Sequence, residues 1–95
     1  MILAKVLGNI ISTVKVDGIE GSKYMIVSPV TPSGEAVESS LIALDLVGSS
    51  TGEIVLVSQG SSVRQTETTK DKPVDAVIMG IIDIVEEDGK VVFRK

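Results

Sequence analysis

The fold is decided by residues 2–15, which read ILAKVLGNIISTVK. Valine, isoleucine and threonine are frequent in this stretch, and its main interruption is the pair Gly8-Asn9. β-Branched residues favour extended strands, and a glycine inside a strand marks a bulge or a bend. The stretch therefore predicts one long bent strand, which is typical of a small β-barrel.

Composition extends this expectation to the whole chain. The 95 residues (10.0 kDa) include 15 valines and 11 isoleucines, whereas Tyr24 and Phe93 are the only aromatic residues. A core of small branched side chains suits strands, and a chain of this length ordinarily forms one domain. The sequence therefore predicts a single all-β domain over residues 1–95, in which residues 87–95 add a C-terminal turn and a short strand extension.

Four further apolar stretches complete the predicted barrel. They lie at residues 23–30, 40–47, 53–58 and 74–86. The first of them is predicted to pair with the bent N-terminal strand, and residues 87–90 form a turn of the hairpin type. Five main strands without a long amphipathic helix predict a small five-stranded OB-like Greek-key barrel, with a short helical turn at residues 60–65 capped by a serine.

Two of these stretches lack a polar face. In residues 40–47 and 74–86, both alternating sets of side chains are largely apolar, and the mean hydropathy of the chain is +0.38. A half-buried strand alternates between apolar and polar residues, so these strands are expected to be covered on both sides. A single small domain has too few elements to cover them, and the sequence therefore predicts an obligate homo-oligomer.

The absent residue types exclude most catalytic schemes. The chain has no histidine and no cysteine, which removes the imidazole base, the thiolate nucleophile and the nitrogen or sulfur ligands of zinc, copper and iron–sulfur sites. Serine and threonine hydroxyls are weak nucleophiles without a positioned base. We therefore predict no catalytic residue, no cofactor and no metal site, and the protein is not expected to be an enzyme.

Charge and hydropathy constrain the partners. The formal net charge is −4, the calculated isoelectric point is about 4.6, and lysine and arginine form no basic patch. Such a surface repels phosphate backbones, so nucleic acid is not an expected partner. No apolar stretch approaches the roughly 18 residues of a membrane span, and the N-terminus lacks a signal-peptide pattern. Neither a membrane partner nor export is expected, and the lack of disulfides fits a cytoplasmic location.

Three carboxylates lie within or beside apolar stretches. They are Asp45, Asp75 and Asp83, and a charge in such surroundings is costly unless it is paired or hydrogen-bonded. One interpretation is a paired-acid site. The alternative, which we favour, is that each aspartate is bonded to backbone donors or to Arg64 or a lysine, within the chain or across an interface.

Three segments, taken in order, resemble the bacterial microcompartment vertex protein family of the EutN/CcmL type. They read AKVLGNIISTVK at residues 4–15, ALDLVGSSTGEIVLV at 43–57 running on to GSSVRQ at 60–65, and PVDAVIMGIID at 73–83. No single segment is diagnostic, but the ordered set with this spacing and overall length is specific. The resemblance covers most of the chain.

The resemblance implies an OB-like barrel that assembles into a homo-pentamer. Such pentamers cap the vertices of a polyhedral shell, of the carboxysome or metabolosome type, whose facets consist of hexameric shell proteins. The implied location is the shell of a bacterial microcompartment in the cytoplasm. A small-ligand-binding OB-like module without a shell role is the alternative, which would be a monomer or dimer with an open groove.

The resemblance also implies residue roles. Members of the family are pictured with a narrow pore on the fivefold axis, and their glycine–serine motif matches Gly60, Ser61 and Ser62. These three residues are therefore candidates for the rim of an axial pore, with the cap of a helical turn as the alternative. Arg64 is expected to form a structural ion pair.

Overall fold

The computed structural model describes residues 1–11, 23–37, 39–60 and 75–95. The predicted helical turn lies outside these ranges apart from its first residue, Gly60. The described residues form seven strands: β1 (Ile2–Ile10), β2 (Tyr24–Pro29), β3 (Leu41–Asp45), β4 (Ile54–Gln59), β5 (Ala76–Ile81), β6 (Ile84–Glu87) and β7 (Lys90–Arg94).

Five of the strands close into a barrel in the order β1-β2-β3-β5-β4. Neighbouring strands are antiparallel except β3 and β5, which run parallel. A closed barrel leaves no unpaired sheet edge, which suits a chain this rich in strand-forming residues. The predicted all-β class and the five-stranded barrel are confirmed.

β1 has a β-bulge and pairs on both sides. Its register with β2 shifts between Val6 and Gly8, at the interruption predicted from the sequence. Before the shift, Ala4 is paired with Pro29 of β2 and with Val55 of β4. A bulge increases the local twist of a strand, and this twist lets β1 close the barrel against two neighbours. The predicted pairing of β1 with β2 is confirmed.

Small aliphatic side chains fill the inside of the barrel. Valine and alanine dominate because five short strands enclose a narrow interior, and the two aromatic residues are not part of this cluster. The core residues are Ala4, Val6, Met25, Val27, Ala43, Val55, Val57, Ala76 and Ile78.

A second apolar cluster lies outside the barrel core. Leu44 and Val77 are directly paired between β3 and β5, and Tyr24 and Leu46 pack against them. Side chains alternate along a strand, and Ala43 points into the core, so Leu44 points outward. Burial raises the pKa of the Tyr24 phenol. The outer surface therefore has apolar packing of its own, as the sequence predicted for residues 40–47.

The apolar run at residues 74–86 does not form one strand, and this corrects the sequence prediction. Ile81 pairs with Val55, and the next amide, that of Ile82, donates to the carbonyl of Ile54 at 2.8 Å. β4 begins at Ile54, so β5 has no further partner along β4 beyond this point. The chain therefore leaves the barrel and forms a new strand, β6. An apolar pattern on both faces does not reveal this exchange of partners.

β6 and β7 form a separate two-stranded sheet. They are joined at Asp88 and Gly89, whose φ angles are 53° and 78°, as a tight hairpin turn of the primed type requires. The predicted hairpin turn is thus confirmed. Phe93 lies beside Gly34, where an added Cβ would lie 3.6 Å from the phenylalanine ring. This hairpin therefore packs against the loop after β2.

Candidate pore and interface residues

Gly60 is the first residue of the segment in which the pore residues were predicted. It follows β4, and its N–H donates to the carbonyl of Asp75, directly before β5, at 2.9 Å. Its φ angle is 76°, in the left-handed region that glycine adopts without strain. Gly60 and Asp75 are therefore held together at one end of the barrel. Ser61, Ser62 and Arg64 lie outside the described residues.

The Asp45 carboxylate holds the loop that follows β3. Its side chain is 0% exposed. Oδ1 accepts hydrogen bonds from the N–H groups of Val47 and Gly48, at 3.0 and 3.1 Å, and Oδ2 accepts one from the N–H of Ser49 at 2.8 Å. These three backbone hydrogen bonds fix the path of the loop. They also compensate the buried carboxylate for the hydration that it loses on folding.

Lys23 completes the environment of Asp45. Its Nζ lies 3.8 Å from Oδ2 of Asp45 and donates to the carbonyl of Ser49 at 3.3 Å. The backbone carbonyl of Lys23 also accepts from the N–H of Asp45 at 2.8 Å. One lysine therefore contacts both ends of the loop, and the charge of the buried carboxylate is balanced within the chain.

The structure does not assemble the three aspartates into one site. Asp45 is aligned with Ile78 across the parallel strands, which separates it along β5 from Asp75 and from Asp83. The Asp83 side chain is 79% exposed, and its Oδ1 lies 3.9 Å from Nζ of Lys95. Within the described ranges, no group of three or more acidic side chains could hold a metal ion. The three aspartates are thus not brought together, and the hydrogen bonds to Asp45 give this residue a structural role.

A side-chain clamp joins the hairpin to the barrel, and the sequence did not predict it. Nζ of Lys95 donates to Oε2 of Glu53 at 2.7 Å, while Oε1 of Glu53 accepts from the N–H of Ser50 at 2.6 Å. The N–H of Lys95 also donates to the carbonyl of Asp83 at 2.8 Å. We call the Glu53–Lys95 pair the clamp. It links the end of the hairpin to the residue that precedes β4.

Of the two clamp residues, only Glu53 lies in a recognisable local sequence pattern. Ser50 and Glu53 have the spacing of a serine followed three residues later by a glutamate, in which the carboxylate bonds back to a backbone N–H. Lys95 is 42 residues from Glu53 in the chain. No local pattern pairs residues that far apart.

The clamp predicts a pH-dependent interaction. The hydrogen bond from Lys95, with that from Ser50, lowers the pKa of Glu53 below its ordinary value of 4.5, and Glu53 raises the pKa of Lys95 above 10.5. The Glu53 contribution is therefore complete above pH 4.5 and lost as the pH falls through the lowered pKa. The Lys95 contribution is complete below pH 10.5 and lost as the pH rises through the raised pKa.

We expect an NMR titration to detect the clamp. The side-chain carboxyl signal of Glu53 should titrate with a midpoint below 4.5 in the wild type and move back towards 4.5 in Lys95→Gln. High salt should shift it in the same direction, because water reaches this pair. Lys90→Gln on the same hairpin is the control, and its Glu53 midpoint should equal that of the wild type. An unchanged midpoint in Lys95→Gln would contradict the clamp.

The strand order and the outer apolar packing define the class of this protein as a small OB-like barrel protein. In the described part of the chain, no helix is long and apolar enough to cross a membrane.

The chain belongs to the EutN/CcmL family: the family profile described as "Ethanolamine utilisation protein EutN/carboxysome" matches residues 1–83.

Two curated relatives are similar to this chain over its full length. The carboxysome shell vertex protein CcmL of Synechococcus elongatus is 36% identical over 95 residues, which cover 100% of this chain and 96% of that protein. The bacterial microcompartment shell vertex protein EutN of Escherichia coli is 39% identical, with 100% of both chains covered. Residues 84–95, beyond the family profile, therefore also have counterparts in these relatives.

Solved structures show the same fold. The CcmL of Gloeobacter violaceus superposes with a TM-score of 0.93 at 34% identity, covering 100% of this chain and 98% of that one. A protein described as the GrpN pentameric microcompartment shell protein of Rhodospirillum rubrum gives a TM-score of 0.83 at 39% identity, covering 92% and 99%. The predicted family is thus confirmed, and a solved relative of this chain is a pentamer.

Proposed function

We propose that this chain is a vertex protein of a bacterial microcompartment shell, in which five copies form a ring. The observation that carries the proposal is membership of the EutN/CcmL family together with full-length relatives that are named shell vertex proteins. The fivefold state rests on the pentameric relative, whose fold this chain shares. The location that follows is the microcompartment shell, in the cytoplasm.

The role is geometric rather than chemical. A flat hexagonal layer cannot close into a polyhedron unless tiles of fivefold symmetry are inserted where the curvature concentrates. The proposed partners are therefore hexameric shell proteins, which would surround each ring. A tile of this kind needs a rigid body and complementary edges, and a closed barrel suits the first requirement. It needs no nucleophile, which agrees with a chain that lacks histidine and cysteine.

The polar residues have roles within this proposal. Gly60, Ser61 and Ser62 are proposed to line a narrow axial pore, because the backbone of Gly60 is held at one end of the barrel. Small hydroxyl side chains repeated around an axis would form a polar, uncharged constriction. Arg64, Asp75 and Asp83 are proposed as structural or interface residues. Of these, Asp83 has an exposed side chain that lies 3.9 Å from Nζ of Lys95.

The mass of the purified assembly tests the proposal. Native mass spectrometry at near-physiological salt should show five chains, each of 10.0 kDa. Five copies carry a formal charge of −20, because each carries −4, so contacts with neighbouring tiles should depend on salt. A single chain that persists at high concentration would contradict the ring and favour a small-ligand-binding barrel.

A further inference from the structure

Two glycines lie inside strands at register shifts: Gly8 at the bulge of β1, and Gly80 at the shift between β4 and β5. Gly8 of β1 and Gly80 of β5 both lack the positive φ angle that requires glycine elsewhere in this protein. No atom of the described residues lies within 4 Å of a Cβ built on Gly8, and a Cβ on Gly80 would make one ordinary contact, 4.0 Å from Leu56. A glycine inside a strand marks a bulge, a bend or the close approach of another backbone or a ligand, and the open space at both positions leaves room for such an approach.

Gly8 belongs to an apolar row on the outer wall of the barrel. It is paired with Ile26, which is paired with Ile42, so the three residues cross β1, β2 and β3. The side chains of Ile26 and Ile42 point outward, because the next residues on β2 and β3, Val27 and Ala43, point into the core. Ile42 is 56% exposed and so has no full covering within its own chain. We call Gly8, Ile26 and Ile42 the first row.

Gly80 belongs to a similar row on a different part of the wall. It is paired with Leu56, which is paired with Leu3, so these residues cross β5, β4 and β1. Leu56 points outward because its neighbours Val55 and Val57 are both in the core. We call Gly80, Leu56 and Leu3 the second row. Each row combines two large aliphatic side chains with one position that has no side chain, and neither row contains a charged residue.

The two rows meet the requirement of a ring. In a closed ring, each subunit contacts its two neighbours through two different surfaces. The rows are two different surfaces of the barrel wall, since they have only β1 in common. Each offers a gap at its glycine and projecting leucine or isoleucine side chains beside it. A contact of ordinary size covers about 800 Å² on each partner, so a row would form its centre rather than its whole area.

We propose that the first row of one copy packs against the second row of the next copy, with each glycine leaving room for an aliphatic side chain of the neighbour. The occupant of both rows is thus a second copy of this chain. Three observations favour it: both rows are apolar and uncharged, the chain has two different rows, and a solved relative is a pentamer. The inference rests on the proposed fivefold ring and adds the surfaces that build it.

Filling the two gaps tests the proposal. Gly8→Val and Gly80→Val should each fold, because valine suits a strand and the described chain leaves space at both positions. Native mass spectrometry should show single chains for each variant, with far-UV circular dichroism like that of the wild type. Asn9→Val is the matched control, since Asn9 is an exposed neighbour on β1 that pairs with Met25 and not with a row residue. It should keep the mass of the wild-type assembly.

Mixing the two variants tests which row contacts which. Gly8→Val keeps an intact second row, and Gly80→Val keeps an intact first row, so a mixture should form pairs of one chain of each kind. These pairs should have the mass of two chains and should not close into a ring. A mixture that shows only single chains would overturn the pairing of the first row with the second.

The remaining outcomes separate this inference from the proposed function. A wild-type pentamer whose mass both valine variants keep would overturn the row contact and leave the ring intact. A wild-type protein that is not a pentamer would count against the ring itself. If Gly8→Val does not fold, Ile42→Lys probes the same row at a side chain that is already exposed, and a pentamer of that variant would overturn the proposal.

Discussion

Replacement of Asp45 with alanine is expected to lower the free energy of unfolding by about 3 kcal/mol. The carboxylate accepts from the N–H groups of Val47, Gly48 and Ser49, and the substitution leaves all three without their acceptor. Ser49 is almost completely buried, so water cannot readily replace the bond to its N–H. The charge of Lys23 loses its partner at the same time.

Asp45→Asn should lie between the wild type and Asp45→Ala. The asparagine side chain keeps one acceptor oxygen, so it preserves some of the three hydrogen bonds from the backbone. Its NH2 group takes the place of the other oxygen and cannot accept from the remaining backbone N–H. Asp83→Asn is the matched control, because this aspartate also lies beside an apolar stretch but has an exposed side chain. Its effect should stay within about 0.5 kcal/mol. Urea denaturation followed by circular dichroism, at equal chain concentrations, measures the free energy of unfolding of all three variants. Equal decreases for Asp45→Ala and Asp83→Asn would refute the structural role of Asp45.

Ile78→Ala should be as damaging as any single substitution in the barrel, with a loss of about 4 kcal/mol. Ile78 is completely buried, and among the described residues it is the largest of the fully buried side chains, so its truncation leaves a cavity that short strands cannot easily close. Small domains are stable by only about 5–15 kcal/mol in total, so this variant should unfold at much lower urea concentrations.

Ile42→Ala provides the comparison at an isoleucine on the opposite face of the wall. Ile42 is exposed in the single chain, so its loss should cost the isolated barrel less than about 1 kcal/mol. Any additional loss should depend on chain concentration, because it would act through a neighbouring copy. The loss at Ile78 should be large at every concentration. Equal effects at the two isoleucines would contradict the assignment of one to the core and the other to the outer wall.

Much of the barrel follows from local sequence. The β-branched composition predicts strands, Gly8 marks the bulge of β1, and Asp88-Gly89 marks the hairpin turn. Each of these depends on the conformational preference of a few adjacent residues, which the sequence displays directly. The prediction of one strand over residues 74–86 was wrong because it required knowing where β4 begins, and that limit decides where β5 loses its partner.

The candidate site divides in the same way. The sequence singled out Asp45 because a carboxylate beside an apolar stretch needs partners, but it could not identify Lys23 or the three amides as those partners. It gave no reason to select Lys95, because ion pairs between distant residues depend on how the hairpin packs against the barrel. The roles of Ser61, Ser62 and Arg64 stay predictions from the family resemblance.

The class of the fold, the family and the absence of the residues that most catalysis requires follow from the sequence alone. These properties reside in composition, short patterns and ordered segments. The folded chain was needed to show which strands are neighbours, which of two alternating aliphatic sets faces the core, and how the hairpin is clamped. An isoleucine has the same local preference on either face of a strand, so its environment is set by closure of the barrel and by pairing between distant residues.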